Sequence, residues 1–302
     1  MRTFGIFAGL AAASIWGGMY VVSKVVLDVI PPFALISLRL VLGMACLWPV
    51  ILLRGGFRAS RRQVLRVLGV GMIGYGASLG FQFVGTKLST AANASLVTAA
   101  SPVFLLLFGA WILRERVTPR RLLALLLASA GVLAVIDPRQ ANLGGALFLG
   151  NLSLLAASIT WGLYSVLIKK VSRDLGTLEV SLFAFLGGLP ITLVLGGWEV
   201  ARQPVGVIRP GVVLGVLYLG VVSTALAMFL WNKSLALLDA GLVSLLFFAQ
   251  PVVGVGLGAL LLKEELGLGF WLGAALIASG LLIASLAEGA VRRAPSLGGG
   301  EG

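Results

Sequence analysis

Hydroxyl, amide and aromatic side chains recur in the middle of long apolar runs of this sequence, where their chemistry is hydrogen bonding and stacking. Polar groups are costly in lipid and turn toward protein partners or water. Tyr75, Ser78 and Gln82 are spaced by three and four residues, which puts them on one face of a helix. The candidates for contact with a bound solute are Ser14, Trp16, Tyr20, Tyr75, Ser78, Gln82, Thr98, Ser101, Trp161, Tyr164, Tyr218 and Gln250, with Ser223, Thr224 and Trp231 as further members.

Each of these candidates also has a purely structural alternative. Ser and Thr hydroxyls inside membranes commonly bond a backbone carbonyl one turn back, and Trp and Tyr near helix ends commonly anchor at the lipid interface. Tyr20 and Trp231 lie close to the ends of their runs. Pro102 and Pro251 are predicted to kink their helices and to leave a carbonyl free beside Ser101 and Gln250, which is a structural role first and a gating or binding role second.

Arg39 is the one strong charge well inside an apolar run. Two interpretations stay open for it. The side chain can extend to the outer surface and keep its charge in water, or it can pair with a substrate carboxylate or with carbonyls inside a cavity. We otherwise expect the cavity to be uncharged and to suit a neutral or zwitterionic solute.

The residues that metal and nucleophilic chemistry need are scarce. The chain has no histidine, its one cysteine is Cys46 inside an apolar run, and its eleven acidic residues fall at predicted helix ends, in loops or in the tail. We therefore expect no metal site, no cofactor and no enzymatic activity. Proton-coupled carriers commonly use a carboxylate or histidine within the membrane, so we predict facilitated diffusion or weak coupling.

The elements that carry these side chains are predicted to be membrane-spanning helices. Of 302 residues 59% are hydrophobic and 11% are charged, against roughly 25% charged in a soluble domain. A hydrocarbon core of about 30 Å takes roughly 20 apolar residues to cross. Ten runs qualify, near 4–26, 33–53, 64–84, 91–113, 120–137, 146–168, 178–197, 211–231, 240–262 and 268–287. The predicted fold is an all-α polytopic membrane protein with ten transmembrane helices.

The net charge of +12 follows the orientation of the helices rather than a nucleic-acid site. With the N-terminus in the cytoplasm, alternate crossing puts most Lys and Arg on the cytoplasmic side. The largest group there is Arg54, Arg58, Arg61, Arg62 and Arg66. This asymmetry predicts that both termini are cytoplasmic, and we expect no nucleic-acid partner.

The chain repeats itself. "SLVTAASPVFLLLFGAWILRER" at residues 95–116 matches "SLLFFAQPVVGVGLGALLLKEE" at residues 244–265, and Trp16 and Lys24 align with Trp161 and Lys169. Two halves of five helices each are predicted, residues 1–141 and 142–288, followed by a disordered cytoplasmic tail at 289–302. Because five is odd, the second half must be inverted, and inverted repeats are common in secondary transporters.

"LSTAANASLVTAASPVFLLLFGAWILRERVTPRRLLALLLASAGVLAVI" resembles the repeat signature of the drug/metabolite transporter superfamily, in its EamA-type ten-helix exporters, with YddG-type bacterial amino-acid exporters the most similar branch. The signature has a small-residue start, a mid-helix proline, a glutamate at the helix end and a closing glycine. These are residues 91–95, Pro102, Glu115 and Gly131, and again residues 241–244, Pro251, Glu264 and Gly280.

The resemblance implies alternating-access export of small metabolites, with the substrate in a central cavity between the halves. Short loops and the lack of a transit peptide favour a bacterial inner membrane. Together with the aromatic and neutral polar candidates, it favours neutral amino acids such as phenylalanine, methionine and threonine. Lipophilic or cationic drugs are the alternative substrates, and a channel-like pore is a lower-ranked mechanism. The expected partners are a small-molecule substrate and the lipid bilayer. One chain would suffice, and the sequence leaves the oligomeric state open.

Overall fold

A computed structural model describes residues 2–114, 119–136, 145–171, 175–237, 246–247 and 249–291. Every regular element in these ranges is a helix. Glu115, residues 241–244 and residues 292–302, on which parts of the predicted repeat and tail fall, lie outside the described residues. The tail was expected to begin at residue 289, but the last helix continues to Val291.

The helices follow one another with short connections. In chain order they are α1 (Arg2–Leu27), α2 (Pro32–Leu53), α3 (Arg61–Gly71), π1 (Met72–Ser78), α4 (Leu79–Leu88), α5 (Ala91–Thr98), α6 (Ser101–Leu113), α7 (Pro119–Ile136), α8 (Ala146–Val171), α9 (Thr177–Arg202), α10 (Pro210–Leu217), π2 (Tyr218–Leu226), α11 (Ala227–Leu237), α12 (Ala249–Leu262) and α13 (Leu268–Val291).

Several of these helices are long and apolar enough to cross a bilayer. Within the described ranges seven stretches qualify by length and hydropathy. They are Thr3–Leu27, Pro32–Leu53, Arg61–Leu88, Ala91–Leu113, Ala146–Val171, Thr177–Arg202 and Pro210–Trp231. The chain is therefore a polytopic, all-helical membrane protein, and the predicted total of ten crossings stays a prediction.

Three of the long helical stretches are irregular near their middle. Arg61–Leu88 and the rod that begins at Pro210 each pass through a π-helical segment, π1 and π2. Such segments are rare and concentrate at functional sites. The rod Ala91–Leu113 is interrupted between Thr98 and Ser101, with Pro102 in the first turn of α6. The kink predicted at Pro102 is thus a break between two helices. Pro102 has no backbone N–H, and in the first turn of a helix that N–H would have no partner within the helix.

The first and last parts of the chain pack into one another. The helix α1 packs against α11 and α12, α8 packs against α4 and α6, and α2 packs against α9 and π2. Backbones come very close at Gly71, where an added Cβ would lie 2.2 Å from the carbonyl oxygen of Ala184. This interleaving encloses a space at the centre of the helices, where π1 and π2 both lie.

Glutamates from the later part of the chain hold the N-terminal ends of earlier helices. The carboxylate of Glu264 accepts hydrogen bonds from the backbone N–H groups of Ala91 at 2.6 Å and Ala92 at 2.8 Å. Glu199 accepts one from the N–H of Phe33 at 2.7 Å. These amides have no partner inside their own helices, so the acids stabilise α5 and α2 from outside.

The ammonium of Lys24 binds the C-terminal end of α4. It donates to the carbonyl oxygens of Lys87 at 2.8 Å, Thr86 at 3.2 Å and Ser89. The last carbonyls of α4 are thereby satisfied, and the positive charge lies where the helix dipole is negative. The lysine fixes α1 to α4, the two helices that carry Tyr20 and Gln82.

Two residues have left-handed backbone geometry without being glycine. In the described part of the chain these are Arg114, with φ of 56°, and Lys263, with φ of 54°. They are the residues that align with each other in the two matching sequence stretches. Both follow directly on an apolar helix, α6 or α12.

Candidate functional site

A cavity lies among α1, α2, π1, α4, α5, α6, α8, π2, α11 and α12. It holds about 600 Å³ of space between atoms, its open mouth included. Its walls come from both halves of the chain, so neither half builds it alone. The lining residues are Trp16, Met19, Tyr20, Arg39, Tyr75, Ser78, Leu79, Gln82, Thr98, Ser101, Ala157, Trp161, Ser223, Thr224, Met228, Phe247 and Gln250.

A chain of neutral hydrogen bonds crosses one wall of the cavity. The amide Nε2 of Gln82 donates to the hydroxyl of Tyr20 at 2.7 Å. That hydroxyl lies 2.5 Å from Oγ1 of Thr98, whose own proton is directed to the carbonyl oxygen of Ala94 at 2.6 Å. Gln250 donates to the same Thr98 oxygen at 3.4 Å. Both glutamines therefore spend a side-chain N–H on the wall, and their side-chain oxygens (Oε1) are acceptors available to a solute.

Aromatic rings form two further walls. On one side Trp16 lies 5.3 Å from Trp231 and 6.2 Å from Phe247, centroid to centroid. On the other side Tyr75 stands edge-on to Trp161 at 6.0 Å and to Tyr164 at 5.4 Å. Rings held in such tilted pairs offer both π-faces and positively polarised edges to a guest.

A backbone carbonyl of π2 fixes the position of Trp16 in one aromatic wall. The indole Nε1 of Trp16 donates to the carbonyl oxygen of Ser223 at 3.0 Å. The hydroxyl of Thr224 donates back to the carbonyl oxygen of Leu219 at 2.7 Å. Trp16 of α1 is thereby fixed to the backbone of π2.

Arg39 is buried in the cavity, with 4% of its surface exposed. Its Nε donates to Oγ1 of Thr224 at 2.9 Å, Nη2 to Oγ of Ser223 at 3.5 Å and Nη1 to the sulfur of Met19 at 3.4 Å. The guanidinium carbon lies 5.0 Å from the ring centroid of Phe83. No Asp or Glu among the described residues forms an ion pair with it.

The position of Arg39 decides between the two interpretations of that residue. The side chain points into the cavity and does not extend to the outer surface. The expectation of an uncharged cavity is wrong for the same reason, since Arg39 lines the cavity wall. The sequence could not show that Arg39 faces the cavity, because hydropathy does not report which side of a helix faces inward.

Most of the predicted contact residues line the cavity, and four do not. Ser14 is outside the lining, Tyr164 packs against Tyr75, and the hydroxyl of Tyr218 donates to the carbonyl oxygen of Ile15 at 2.8 Å. Trp231 is also outside the lining and packs against Trp16. For these four the structure favours a packing role.

Two of the lining serines have already used their protons. Ser78 donates to the carbonyl oxygen of Ala157 at 2.9 Å, and Ser101 donates to that of Thr98 at 2.6 Å. This is the structural alternative expected for membrane hydroxyls, and each serine has only an acceptor left for a solute. The sequence missed Met19, Leu79, Ala157, Met228 and Phe247, because apolar residues in apolar runs carry no signal.

Pro102 and Pro251 lie beside cavity residues. Pro102 follows Ser101, and Pro251 follows Gln250 in the first turn of α12. The backbone carbonyl oxygen of Gln250 accepts a hydrogen bond from the hydroxyl of Ser95 at 3.1 Å, and this bond joins α5 to α12. A gating role for either proline stays a prediction.

Comparison with known proteins bears on this arrangement. The sequence profile of the EamA-like transporter family matches residues 3–136 and again residues 148–286. The chain belongs to the EamA-like transporter family. It is accordingly a multi-pass transporter of the bacterial inner membrane, one that sits in a lipid bilayer and binds a small-molecule substrate.

Individual relatives extend over nearly the whole chain. The chain is 32% identical to a "Probable amino-acid metabolite efflux pump" of Escherichia coli (strain K12), over 93% of this chain and 94% of that one. It is also 32% identical to a protein of the same name from Salmonella typhimurium, over 92% and 93%. An "Uncharacterized transporter YetK" of Bacillus subtilis is 28% identical, over 93% and 87%. One crystal structure shares the fold, with a TM-score of 0.68 at 23% identity, covering 96% of this chain and 99% of the other.

Proposed function

We propose that this transporter exports neutral amino acids, chiefly aromatic and larger aliphatic ones, from the cytoplasm. The names of its relatives in Escherichia coli and Salmonella typhimurium support this direction and this class of substrate. The cavity supports the same class independently, because its chemistry matches the three parts of an amino acid.

The buried charge of Arg39 is the observation that carries the proposal. A guanidinium binds a carboxylate through two parallel N–H donors, and a hydrogen bond to a charged group contributes about 1.5 to 3 kcal/mol. The ammonium of the substrate would lie against the side-chain oxygens of Gln82 and Gln250 and against the faces of Trp16 and Trp161. Its side chain would fill the aromatic remainder of the cavity.

Alternating access is the proposed mechanism. Residues 1–141 and 142–288 would be two inverted halves of five helices, with both termini cytoplasmic. Three observations support the repeat: the family profile matches twice, Arg114 and Lys263 share a left-handed backbone at aligned positions, and π1 and π2 lie in corresponding rods. The cavity would open to either side as the halves rock. One chain would suffice for it.

The positions of the acidic residues bear on whether transport is coupled to protons. Glu199 and Glu264 are bonded to helix N-termini rather than to the cavity, and no carboxylate of the described residues lines it. We therefore infer facilitated diffusion or weak coupling in place of a carboxylate proton relay. A reconstituted carrier should show no proton current with its substrate.

Lipophilic cations are the second candidate, because the aromatic walls would stack against them. Arg39 opposes this candidate, since two positive charges in one low-dielectric cavity repel each other. Competition between analogues of one size separates the two candidates. Proteoliposomes would be loaded with unlabelled phenylalanine, and counterflow uptake of labelled phenylalanine would be measured with excess phenylalanine, methionine, threonine or phenethylamine outside. Phenethylamine has the ring and the ammonium but no carboxylate.

We expect phenylalanine, methionine and threonine to compete and phenethylamine to fail. Arg39→Gln should remove most of that discrimination, whereas Arg202→Gln, at an exposed guanidinium over the Trp198 ring, should leave it unchanged. Phenethylamine competing as well as phenylalanine in the unmodified protein would refute the amino-acid proposal and favour the cation one. Flux that fails to saturate would favour a pore.

A further inference from the structure

The same cavity has the chemistry to bind a second kind of ligand when no amino acid occupies it. We propose that Arg39 then binds a small inorganic anion, chloride in the first instance, and that an amino acid must displace this anion to enter. The inference rests on the proposed function only in the displacement step. The anion site itself follows from the buried guanidinium.

The first argument is the state of the charge. Arginine stays protonated at neutral pH, and Arg39 is 4% exposed. Moving an ion out of water costs several kcal/mol even after the protein relaxes around it. A carboxylate partner usually offsets that cost, and none is found for Arg39 in the described part of the chain. The Phe83 ring at 5.0 Å recovers only a part of it.

The second argument counts donors. A guanidinium has five N–H groups. One of them has a good acceptor, Thr224 at 2.9 Å. Another reaches Ser223 only at 3.5 Å, and a third meets the sulfur of Met19, which is a weak acceptor. The remaining N–H groups of a residue that lines the cavity are available to an acceptor inside it.

The third argument is selectivity. The neighbouring walls offer positively polarised ring edges, which suit an anion of low charge. Divalent phosphate groups typically require several basic side chains, and Arg39 is the one cation in the described lining. Chloride is small enough for the space and matches the single charge. Because it would use the N–H groups that a carboxylate uses, the two ligands exclude each other.

Binding of chloride can be tested without any amino acid. The full-length purified protein would be heated in detergent at constant ionic strength while chloride replaces the anion of MES buffer, a bulky sulfonate without the carboxylate that Arg39 is proposed to bind. A ligand that binds only the folded state raises the unfolding temperature in proportion to the logarithm of 1 + [L]/Kd. We expect a rise that follows this logarithm as chloride increases, its loss in Arg39→Gln and its retention in Arg202→Gln.

Displacement is the second arm. The apparent Kd for labelled phenylalanine should rise linearly with chloride at constant ionic strength, by roughly tenfold when chloride is about nine times its own Kd. Arg39→Lys keeps the charge and should keep a weaker chloride effect, which covers the case in which Arg39→Gln does not fold. A chloride effect equal in Arg39→Gln and the unmodified protein would overturn the site.

The two arms also separate this inference from the proposed function. Phenylalanine binding that is indifferent to chloride, with no chloride-dependent rise in unfolding temperature, refutes the anion site and leaves the amino-acid carrier standing. A chloride-dependent rise that disappears in Arg39→Gln, with no phenylalanine binding, supports the anion site and refutes the proposed substrate.

Discussion

Substitution of Glu264 by Gln tests how the end of the chain stabilises its first half. Glu264 follows α12 and lies against the N-terminus of α5, where its two carboxylate oxygens bind the N–H groups of Ala91 and Ala92 at 2.6 and 2.8 Å. Ala91 and Ala92 are buried, with 0% and 1% of their surface exposed. Their amides cannot turn to water when the carboxylate is lost.

The expected cost follows from these two bonds. Hydrogen bonds to a charged group contribute about 1.5 to 3 kcal/mol each, and a neutral one about 0.5 to 1.5 kcal/mol. Gln keeps one oxygen, so one bond weakens to the neutral value and the other becomes a contact between two donors. Because Glu264 is only half-buried, water moderates the effect. We expect Glu264→Gln to lower the free energy of unfolding by about 2 to 3 kcal/mol.

Reversible unfolding in mixed micelles, followed by circular dichroism, measures this difference. Glu265→Gln is the matched control, since Glu265 is the exposed neighbour and a surface substitution changes stability by less than about 0.5 kcal/mol. Equal stabilities for the two variants would refute the external cap. Glu115, the aligned residue of the first half, lies outside the described residues.

Two further predictions have controls within the chain. Gly71→Ala should lower the free energy of unfolding by about 1 to 3 kcal/mol, because the added Cβ would lie 2.2 Å from the backbone oxygen of Ala184. Gly69→Ala is the control: nothing lies within 4 Å of its Cβ, and helix propensity should raise the free energy of unfolding by up to about 1 kcal/mol. The same unfolding assay compares the two variants, and equal effects would contradict the close packing. Trp161→Ala should weaken phenylalanine binding about tenfold in counterflow, since a ring contact contributes about 1.5 kcal/mol. Trp198→Ala should leave the binding unchanged in the same assay. Equal losses in the two variants would count against a cavity role for Trp161.

Local patterns in the sequence determined the class of the protein and most of the cavity candidates. Apolar runs of membrane-spanning length predict helices in lipid whatever their neighbours, because every backbone group must be satisfied within its own segment. Polar residues inside such runs must face inward. That reasoning selected Tyr20, Gln82, Thr98 and Gln250, which the structure joins through hydrogen bonds.

Only the tertiary structure decided which of these groups still have a free donor or acceptor and where the charge lies. Ser78 and Tyr218 have the same composition signal as Gln82, yet both spend their protons on backbone carbonyls of other helices. Arg39 faces the cavity and Glu264 binds α5 because of how distant helices are rotated and packed against one another. Hydropathy and residue spacing describe one helix at a time, whereas a cavity forms from the side chains of many helices, so its charge and its apolar walls depend on their packing.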